Sequence, residues 1–291
     1  MSSVNVAAID IGSNGARIMI KSISENLKVK KLQFLRIPLR LGVDVFNIGY
    51  ISPERAKIME RTLKIFKHLL KIYGVQKYEA YATSAMREAS NGKKLLDRLN
   101  SEIGLGIKII SGLEEASIIC NNNALSDYDP CLFVDVGGGS TEISLFNETK
   151  PVKCQSFNIG TLRMLGKNYD PTVMGKLTEQ VSSITKPFPK IRIVGSGGNI
   201  NKLYKLISRK NPGLNNFLPV GLLKDQLEKM QSMTVEERME KYDLRADRAD
   251  VIVPAAKVFL NIAKSANVSE IYVPTLGLVD AMIEKIGMEL F

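Results

Sequence analysis

The chemistry in this chain gathers at Leu132-Phe133-Val134-Asp135-Val136-Gly137-Gly138-Gly139-Ser140-Thr141-Glu142, where an apolar run delivers a carboxylate to its end, three glycines follow, and Ser, Thr and Glu open the next apolar run. That order predicts strand, tight turn, strand. Consecutive glycines permit positive φ and leave no Cβ between main-chain N–H groups and a ligand, so the turn is expected to close around phosphate oxygens as a nest. Carboxylates at Asp135 and Glu142 beside phosphates require a cation between the negative groups. Mg²⁺ suits the place, because it prefers oxygen ligands and keeps several waters.

The pattern has an earlier copy. Val6-Ala7-Ala8-Ile9-Asp10-Ile11-Gly12-Ser13-Asn14-Gly15 is again an apolar strand ending in Asp and a small polar turn, with β-prone Ile18-Met19-Ile20 after it. The repeat predicts two similar halves facing each other across a phosphate-binding cleft. A third turn, Gly195-Ser196-Gly197-Gly198-Asn199, follows a strand-like Ile191–Val194 and precedes a helical run from Ile200.

Between these turns lie other candidates. Tyr78–Ala82 runs as a strand into Thr83-Ser84-Ala85-Met86-Arg87, where a guanidinium beside small residues could bind phosphate through two parallel hydrogen bonds. Thr83 and Ser84 could equally cap the next helix. After a short strand at Ile107–Ile110, Ser111 and Glu114 have the spacing of a capping box, which accounts for Glu114 and leaves its neighbour Glu115 without a local task. Lys202, Lys205 and Arg209 share one helix face and read either as a track for an anionic tail or as a solvated surface. His68 is the single histidine and sits inside a helix that Ser52 caps and Pro53 begins, so Ser-His-Asp chemistry is excluded. The spacing of a Walker A loop is absent, and Ile200 stands where a Rossmann fingerprint needs Gly or Ala.

Asp10-Ile-Gly-Ser-Asn14 with Arg17, Thr83 to Ala89 with Asn91, Ser111 to Ala116, Asp135 to Glu142, Gly195 to Gly198, and Arg248-Ala-Asp250 stand in the order seen in the exopolyphosphatase and guanosine pentaphosphate phosphohydrolase (Ppx/GppA) family, which the chain resembles from about Val4 to its last helix. Gly160-Thr161-Leu162-Arg163 resembles a further block. The resemblance implies an α/β fold of two ribonuclease H-like domains, of the actin, sugar kinase and chaperone-ATPase superfamily, with an interdomain cleft. It implies hydrolysis of a terminal phosphoanhydride with Glu115 as general base and Arg87 in the active site. Ser13, Asn14, Arg17, Thr83, Ser84, Gly137, Gly138, Gly139, Ser140, Thr141, Gly197 and Gly198 would bind phosphate, and Asp10, Asp135 and Glu142 would hold Mg²⁺ or another divalent cation. The implied substrates are inorganic polyphosphate or guanosine pentaphosphate, and the implied assembly is a homodimer. Two departures stand out: Gly15 replaces the family's usual Ser, and Gly277-Leu278-Val279-Asp280-Ala281 replaces Gly-Leu-Arg-Glu-Gly, with loss of a cation. The C-terminal helical domain of larger members has no counterpart here, so a weaker grip on long chains is expected.

The elements that must position these residues fit into 291 residues as two domains, 1–126 joined by a last helix at 278–291, and 127–277, with a polar boundary at Ser126-Asp127-Tyr128-Asp129-Pro130. Forty Lys and Arg against thirty Asp and Glu leave +10, which favours a polyanionic partner. With no Trp and no zinc-finger or RNP pattern, nucleic acid is the weaker reading of that charge. Cys120, Cys131 and Cys154 are odd in number and set in apolar sequence, which predicts buried free thiols in a reducing compartment. No signal core and no membrane-spanning run are present, so a cytoplasmic protein without membrane contact is expected. Rival readings are a kinase of the same superfamily, in which an acceptor hydroxyl replaces water, and a phosphate-ligand sensor without turnover.

Overall fold

The computed structural model describes residues 3–26, 28–120, 129–148, 150–274 and 277–290. In chain order the elements are β1 (Ser3–Ile11), β2 (Ala16–Ser24), β3 (Val29–Ile37), α1 (Leu41–Ile48), α2 (Pro53–Ile72), β4 (Lys77–Ala82), α3 (Ser84–Glu88), α4 (Gly92–Ile103), β5 (Lys108–Ile109) and α5 (Gly112–Cys120). There follow β6 (Cys131–Val136), β7 (Thr141–Asn147), β8 (Lys150–Phe157), α6 (Thr172–Thr185), β9 (Arg192–Ser196), α7 (Gly198–Ser208), β10 (Phe217–Pro219), α8 (Val220–Gln231), α9 (Val235–Tyr242), α10 (Ala246–Ala249), α11 (Ile252–Ser265), β11 (Glu270–Tyr272) and α12 (Leu278–Leu290). The chain divides into two units, Met1–Asn122 with Gly277–Phe291, and Asn123–Leu276. Of the expected boundary, residues 126–128 lie outside the described residues, as does the expected run of the preceding helix to Leu125.

In the first unit the strand order is β3-β2-β1-β4-β5. β1 pairs antiparallel with β2 and parallel with β4, and β4 runs parallel to β5. β1 is central, and Val6, Ala7, Ala8 and Ile9 have no exposed surface. An all-apolar run without alternation is what a strand covered on both faces needs. α2 begins as its sequence dictates: the Ser52 hydroxyl accepts from the Arg55 N–H at 3.4 Å and Pro53 fills the first turn. His68 lies on its exposed side.

The last helix belongs to this unit and packs on β1, β2 and β4. Leu278, Met282, Ile283 and Ile286 are buried there, and so is Val279, so the position where the family carries a cation is apolar and enclosed. Three ion pairs fix its register: Lys21 to Asp280 at 2.8 Å, Lys285 to Glu79 at 2.8 Å and Lys77 to Glu289 at 2.6 Å. The buried aliphatics supply most of the stabilisation, since exposed pairs of this kind contribute at most about 1 kcal/mol each.

In the second unit the order is β10-β11-β9-β6-β7-β8, with β6 and β9 parallel and β6-β7-β8 an antiparallel meander. α11, apolar almost all round, covers this sheet: Val258, Phe259 and Ile262 are fully buried. β9 lies so close beneath it that a Cβ on Gly195 would fall 3.2 Å from Phe259. A capping box of Thr234 and Glu237, with the Ser/Thr-x-x-Glu spacing, opens α9. Cys131 is a buried thiol whose pKa burial pushes up to about 12, and Cys154 is a half-buried thiol outside any disulfide. Among the described residues no helix is long and apolar enough to cross a membrane.

Candidate active site

The two strand-Asp-turn copies fold into the same hairpin. In the first, Ile11 pairs with Ala16 and the Gly12 N–H donates to the Gly15 carbonyl at 3.2 Å. In the second, Val136 pairs with Thr141 and the Gly137 N–H donates to the Ser140 carbonyl at 2.9 Å. What differs is the charge across each meander. Asp10 lies opposite Arg17, which lies opposite Arg36. Asp135 lies opposite Glu142, which lies opposite Ser156.

In the first unit the carboxyl ends of three parallel strands bring the sequence-predicted residues together, the place where open α/β sheets bind ligands. Thr83 N–H donates to the Ile11 carbonyl at 3.2 Å and Ile110 N–H to the Ala82 carbonyl at 3.0 Å, so the turn after β1, the start of α3 and the start of α5 are neighbours. Ser13 and Ser84 join through their hydroxyls at 2.7 Å, both buried. Asn14 and Ser13 carbonyls accept from the Arg40 and Gly42 amides, which fixes the turn against α1. Arg87 donates to the Ile110 carbonyl at 2.7 Å, one residue before the capping box. That box is present: Ser111 N–H donates to Glu114 at 2.7 Å and Glu114 N–H to the Ser111 hydroxyl at 3.1 Å. These bonds hold the Glu114 carboxyl below the usual carboxylate range. Glu115, next in line, is half-buried with Oε2 shielded from solvent.

Asp10 is only 4% exposed and sits 3.6 Å from Arg17. Burial raises its pKa, while the Arg17 and Arg36 charges work in the opposite direction. A Cβ on Gly15 would lie 2.9 Å from the Ile37 carbonyl and 3.2 Å from the Arg36 guanidinium carbon, so the departure from Ser has a steric cause in the end of β3.

In the second unit the glycine run does not use the positive φ that glycine permits. Gly137, Gly138 and Gly139 do not adopt left-handed φ; Gly197 does, at +102°. The chain at 160–163 lies directly on the run, and that approach requires glycine at 160. A Cβ on Gly160 would fall 2.5 Å from Gly139 backbone atoms and 2.6 Å from those of Gly138. Thr161, Leu162 and Arg163 amides donate to the Gly137 and Gly138 carbonyls at 2.8–3.1 Å, and Arg163 Nε donates to the Gly139 carbonyl at 2.6 Å. The carbonyls of the turn are therefore engaged from this side. Thr141, expected to bind phosphate, gives its hydroxyl to the Ile159 carbonyl at 2.6 Å and is fully buried. Its role in the structure is to anchor the turn.

Glu142 is 2% exposed and accepts from the Ser156 hydroxyl at 2.8 Å. On the other side of Asp135, β9 brings Ser196 into register, and a Cβ on Gly197 would lie 2.8 Å from Asp135 Oδ1. Glycine at 197 thus leaves room beside that carboxylate. Arg248 reaches over the start of α7, donating to the Gly198 carbonyl and, at 3.1 Å, to Asn199 Oδ1. Lys202 donates to the Asp243 carbonyl at 3.3 Å, and burial followed by the charges of Arg209, Lys205 and Arg248 pushes its pKa down. Those four cations form one basic group.

Among the described residues no group of three or more His, Cys, Asp or Glu side chains gathers that could hold a metal ion. In the first unit Asp10 is flanked by Arg17 and Arg36, and in the second Asp135 and Glu142 face each other across neighbouring strands. Sequence reasoning passed over Arg36, Ser156 and Gly160 as site residues. The signal for Arg36 and Ser156 was strand register, and for Gly160 its place in a block with Arg163.

Residues 20–285 match the Ppx/GppA phosphatase family. The bifunctional 3-dehydroquinate synthase/phosphatase of Fusobacterium nucleatum is 33% identical over 174 residues, which is 55% of this chain and 26% of that protein, so the match spans about a quarter of the relative's length. The crystal structure of the Aquifex aeolicus member of the Ppx/GppA family superposes with a TM-score of 0.78 at 24% identity, covering 99% of both chains. An exopolyphosphatase from Cytophaga hutchinsonii gives 0.84 at 22% identity, covering 97% of both. The fold is thus the α/β arrangement expected from the sequence, with each unit built on a ribonuclease H-like sheet.

Proposed function

This chain belongs to the Ppx/GppA phosphatase family, and from that premise we propose that it is an exopolyphosphatase, hydrolysing the terminal phosphoanhydride of inorganic polyphosphate in the presence of Mg²⁺ and releasing orthophosphate. The observation that carries the reading is the division of labour between two adjacent glutamates: Glu114 is consumed by its helix cap, and the half-buried Glu115 follows it on α5, whose start adjoins Ile110, the residue that Arg87 holds.

In this mechanism Glu115 accepts a proton from water as the water oxygen bonds to the terminal phosphorus and the bridging P–O bond breaks. The shortened polyphosphate departs as the leaving group. Arg87, oriented by the Ile110 carbonyl, offsets negative charge on the phosphoryl oxygens, and the Ser13 and Ser84 hydroxyls with Asn14 orient them. Arg17 and Arg36 keep the region around buried Asp10 positive enough to admit a polyanion. On the second unit, the amides of Gly138, Gly139 and Ser140 are the donors for phosphate, and Gly197 and Gly198 contribute backbone at the start of α7.

A divalent cation fits Asp135 and Glu142. Two carboxylates directly opposite on neighbouring strands repel, and a cation between them relieves that repulsion. Hard oxygen donors in a pair, completed by substrate oxygens and water, are what Mg²⁺ takes. When bound it would neutralise phosphate charge.

Guanosine pentaphosphate presents the same terminal anhydride and is the second reading. The net charge of +10 and the basic group of Lys202, Lys205, Arg209 and Arg248 favour the longer polyanion. Phosphate-release kinetics on polyphosphates of several lengths and on guanosine pentaphosphate, run in parallel without ATP or acceptor, test this. A higher kcat/KM on guanosine pentaphosphate than on any polyphosphate overturns the assignment. A requirement for an acceptor hydroxyl would instead make the protein a kinase. Glu115→Gln should lower kcat by about 10²–10⁴, and phosphate release at the parent rate would remove Glu115 from the reaction.

A further inference from the structure

The outer face of α2 carries a pattern that the hydrolase chemistry does not use. Lys57-Ile58, Lys64-Ile65 and Lys71-Ile72 recur every seven residues. The inner face of the same helix buries Met59, Leu63, Phe66 and Leu70 in the first unit. The isoleucines point outward, with 43%, 44% and 75% of their surface exposed at Ile58, Ile65 and Ile72. An exposed isoleucine lowers helix propensity and leaves apolar area in water, and three in one line do both without any return inside the unit. At 1.5 Å per residue the line runs about 21 Å, and the drift of about 20° per heptad keeps it on one side of the helix.

The surroundings carry more positive than negative charge. Lys57, Arg61, Lys64 and Lys71 are all exposed on this side. Glu60 is held by Lys64 at 2.6 Å and reached by Arg98 at 3.6 Å, so its charge is matched. Glu54 is the remaining acidic residue, in the first turn. We infer that this face is a docking surface for an acidic amphipathic helix of a protein partner, with Ile58, Ile65 and Ile72 as apolar anchors and the flanking lysines and Arg61 as its charge complement. Anchors repeating every seven residues are the geometry of helix-on-helix recognition, and flanking charges select the partner. A second copy of this chain is disfavoured as occupant, because it would set lysine against lysine. An anionic bilayer is disfavoured as well, because only one line of side chains is available to enter it.

The probe is a synthetic 21-residue helix with leucine at heptad a and d positions and glutamate flanking them, titrated into the full chain by fluorescence anisotropy. Binding is expected, with amide-exchange protection confined to α2, and Ile65→Glu should weaken it at least tenfold while phosphate release is unchanged. A Lys57→Glu, Lys71→Glu double variant should lose the acidic peptide and take a lysine-flanked one instead. The proposal is overturned if the acidic peptide does not bind or if Ile65→Glu leaves its affinity intact. It is also overturned if the parent sediments as a dimer that Ile65→Glu dissolves, or if phosphatidylglycerol vesicles bind through Ile65 in place of the peptide. The binding, exchange and sedimentation readouts do not depend on the hydrolase assignment.

Discussion

Gly160→Ala tests how the second glycine turn is held. The added methyl would meet Gly139 backbone atoms at 2.5 Å, where ordinary contact begins near 3.4 Å, so one backbone must retreat by about 1 Å. Neither can do so cheaply, because Thr161, Leu162 and Arg163 donate to the turn carbonyls at 2.8–3.1 Å and the Arg163 side chain does so at 2.6 Å. Overpacking of this kind costs roughly 1–3 kcal/mol. In a unit of about 150 residues that lowers the melting temperature by roughly 2–12 °C. The effect on rate should be larger in proportion, since displacing a phosphate-holding group by about 1 Å costs on the order of 10². Calorimetry and single-turnover phosphate release on the purified variant measure the two separately. Gly175→Ala is the control: nothing lies within 4 Å of its would-be Cβ in α6, and the change should be neutral or stabilising by about 0.4–1 kcal/mol. A Gly160→Ala protein that melts and turns over like the parent would refute the account of why residue 160 is glycine.

Three further outcomes follow from the geometry. The Asp10 carboxyl is raised by burial, so the folded protein keeps its proton to higher pH than the unfolded chain; stability falls as pH rises from about 3.9 through the folded value and stays lower above it. Asp10→Asn should therefore raise the melting temperature at pH 7, with the gain vanishing in acid, and a melting temperature that falls at pH 7 contradicts this sign. Gly15→Ser, which restores the residue usual in the family, should reduce phosphate release and not increase it, because its Cβ would sit 2.9 Å from the Ile37 carbonyl; steady-state kinetics decide. Chelation should abolish turnover and Mg²⁺ restore it, and Glu142→Gln should shift the half-saturating Mg²⁺ concentration upward by about tenfold or more, whereas an unchanged Mg²⁺ titration excludes the carboxylate pair as the site.

Much of this architecture is legible in the sequence because it is written locally. The strand-Asp-turn repeat, the caps at Ser52, Ser111 and Thr234, and the last helix are each set by a few neighbouring residues, and each is found where those residues place it. What could not be read depends on residues distant in sequence. The need for glycine at 160 comes from the backbone of Gly138 and Gly139, and the engagement of Thr141 comes from Ile159. The different characters of Asp10 and Asp135 come from strand partners, arginines in one sheet and a glutamate and serine in the other. Composition and motif spacing do not contain that register.

The helix that completes the first sheet is made long after the sheet itself. Between α5 and α12 the ribosome must translate the whole of residues 123–276, which takes roughly 8–31 s at about 5–20 residues per second. Through that interval the flank of β1, β2 and β4 that will receive Met282, Ile283 and Ile286 stands uncovered, while the later-translated unit already has every strand it needs. Maturation thus runs against the order of synthesis, and a nascent-chain chaperone would find its binding site on the N-terminal portion.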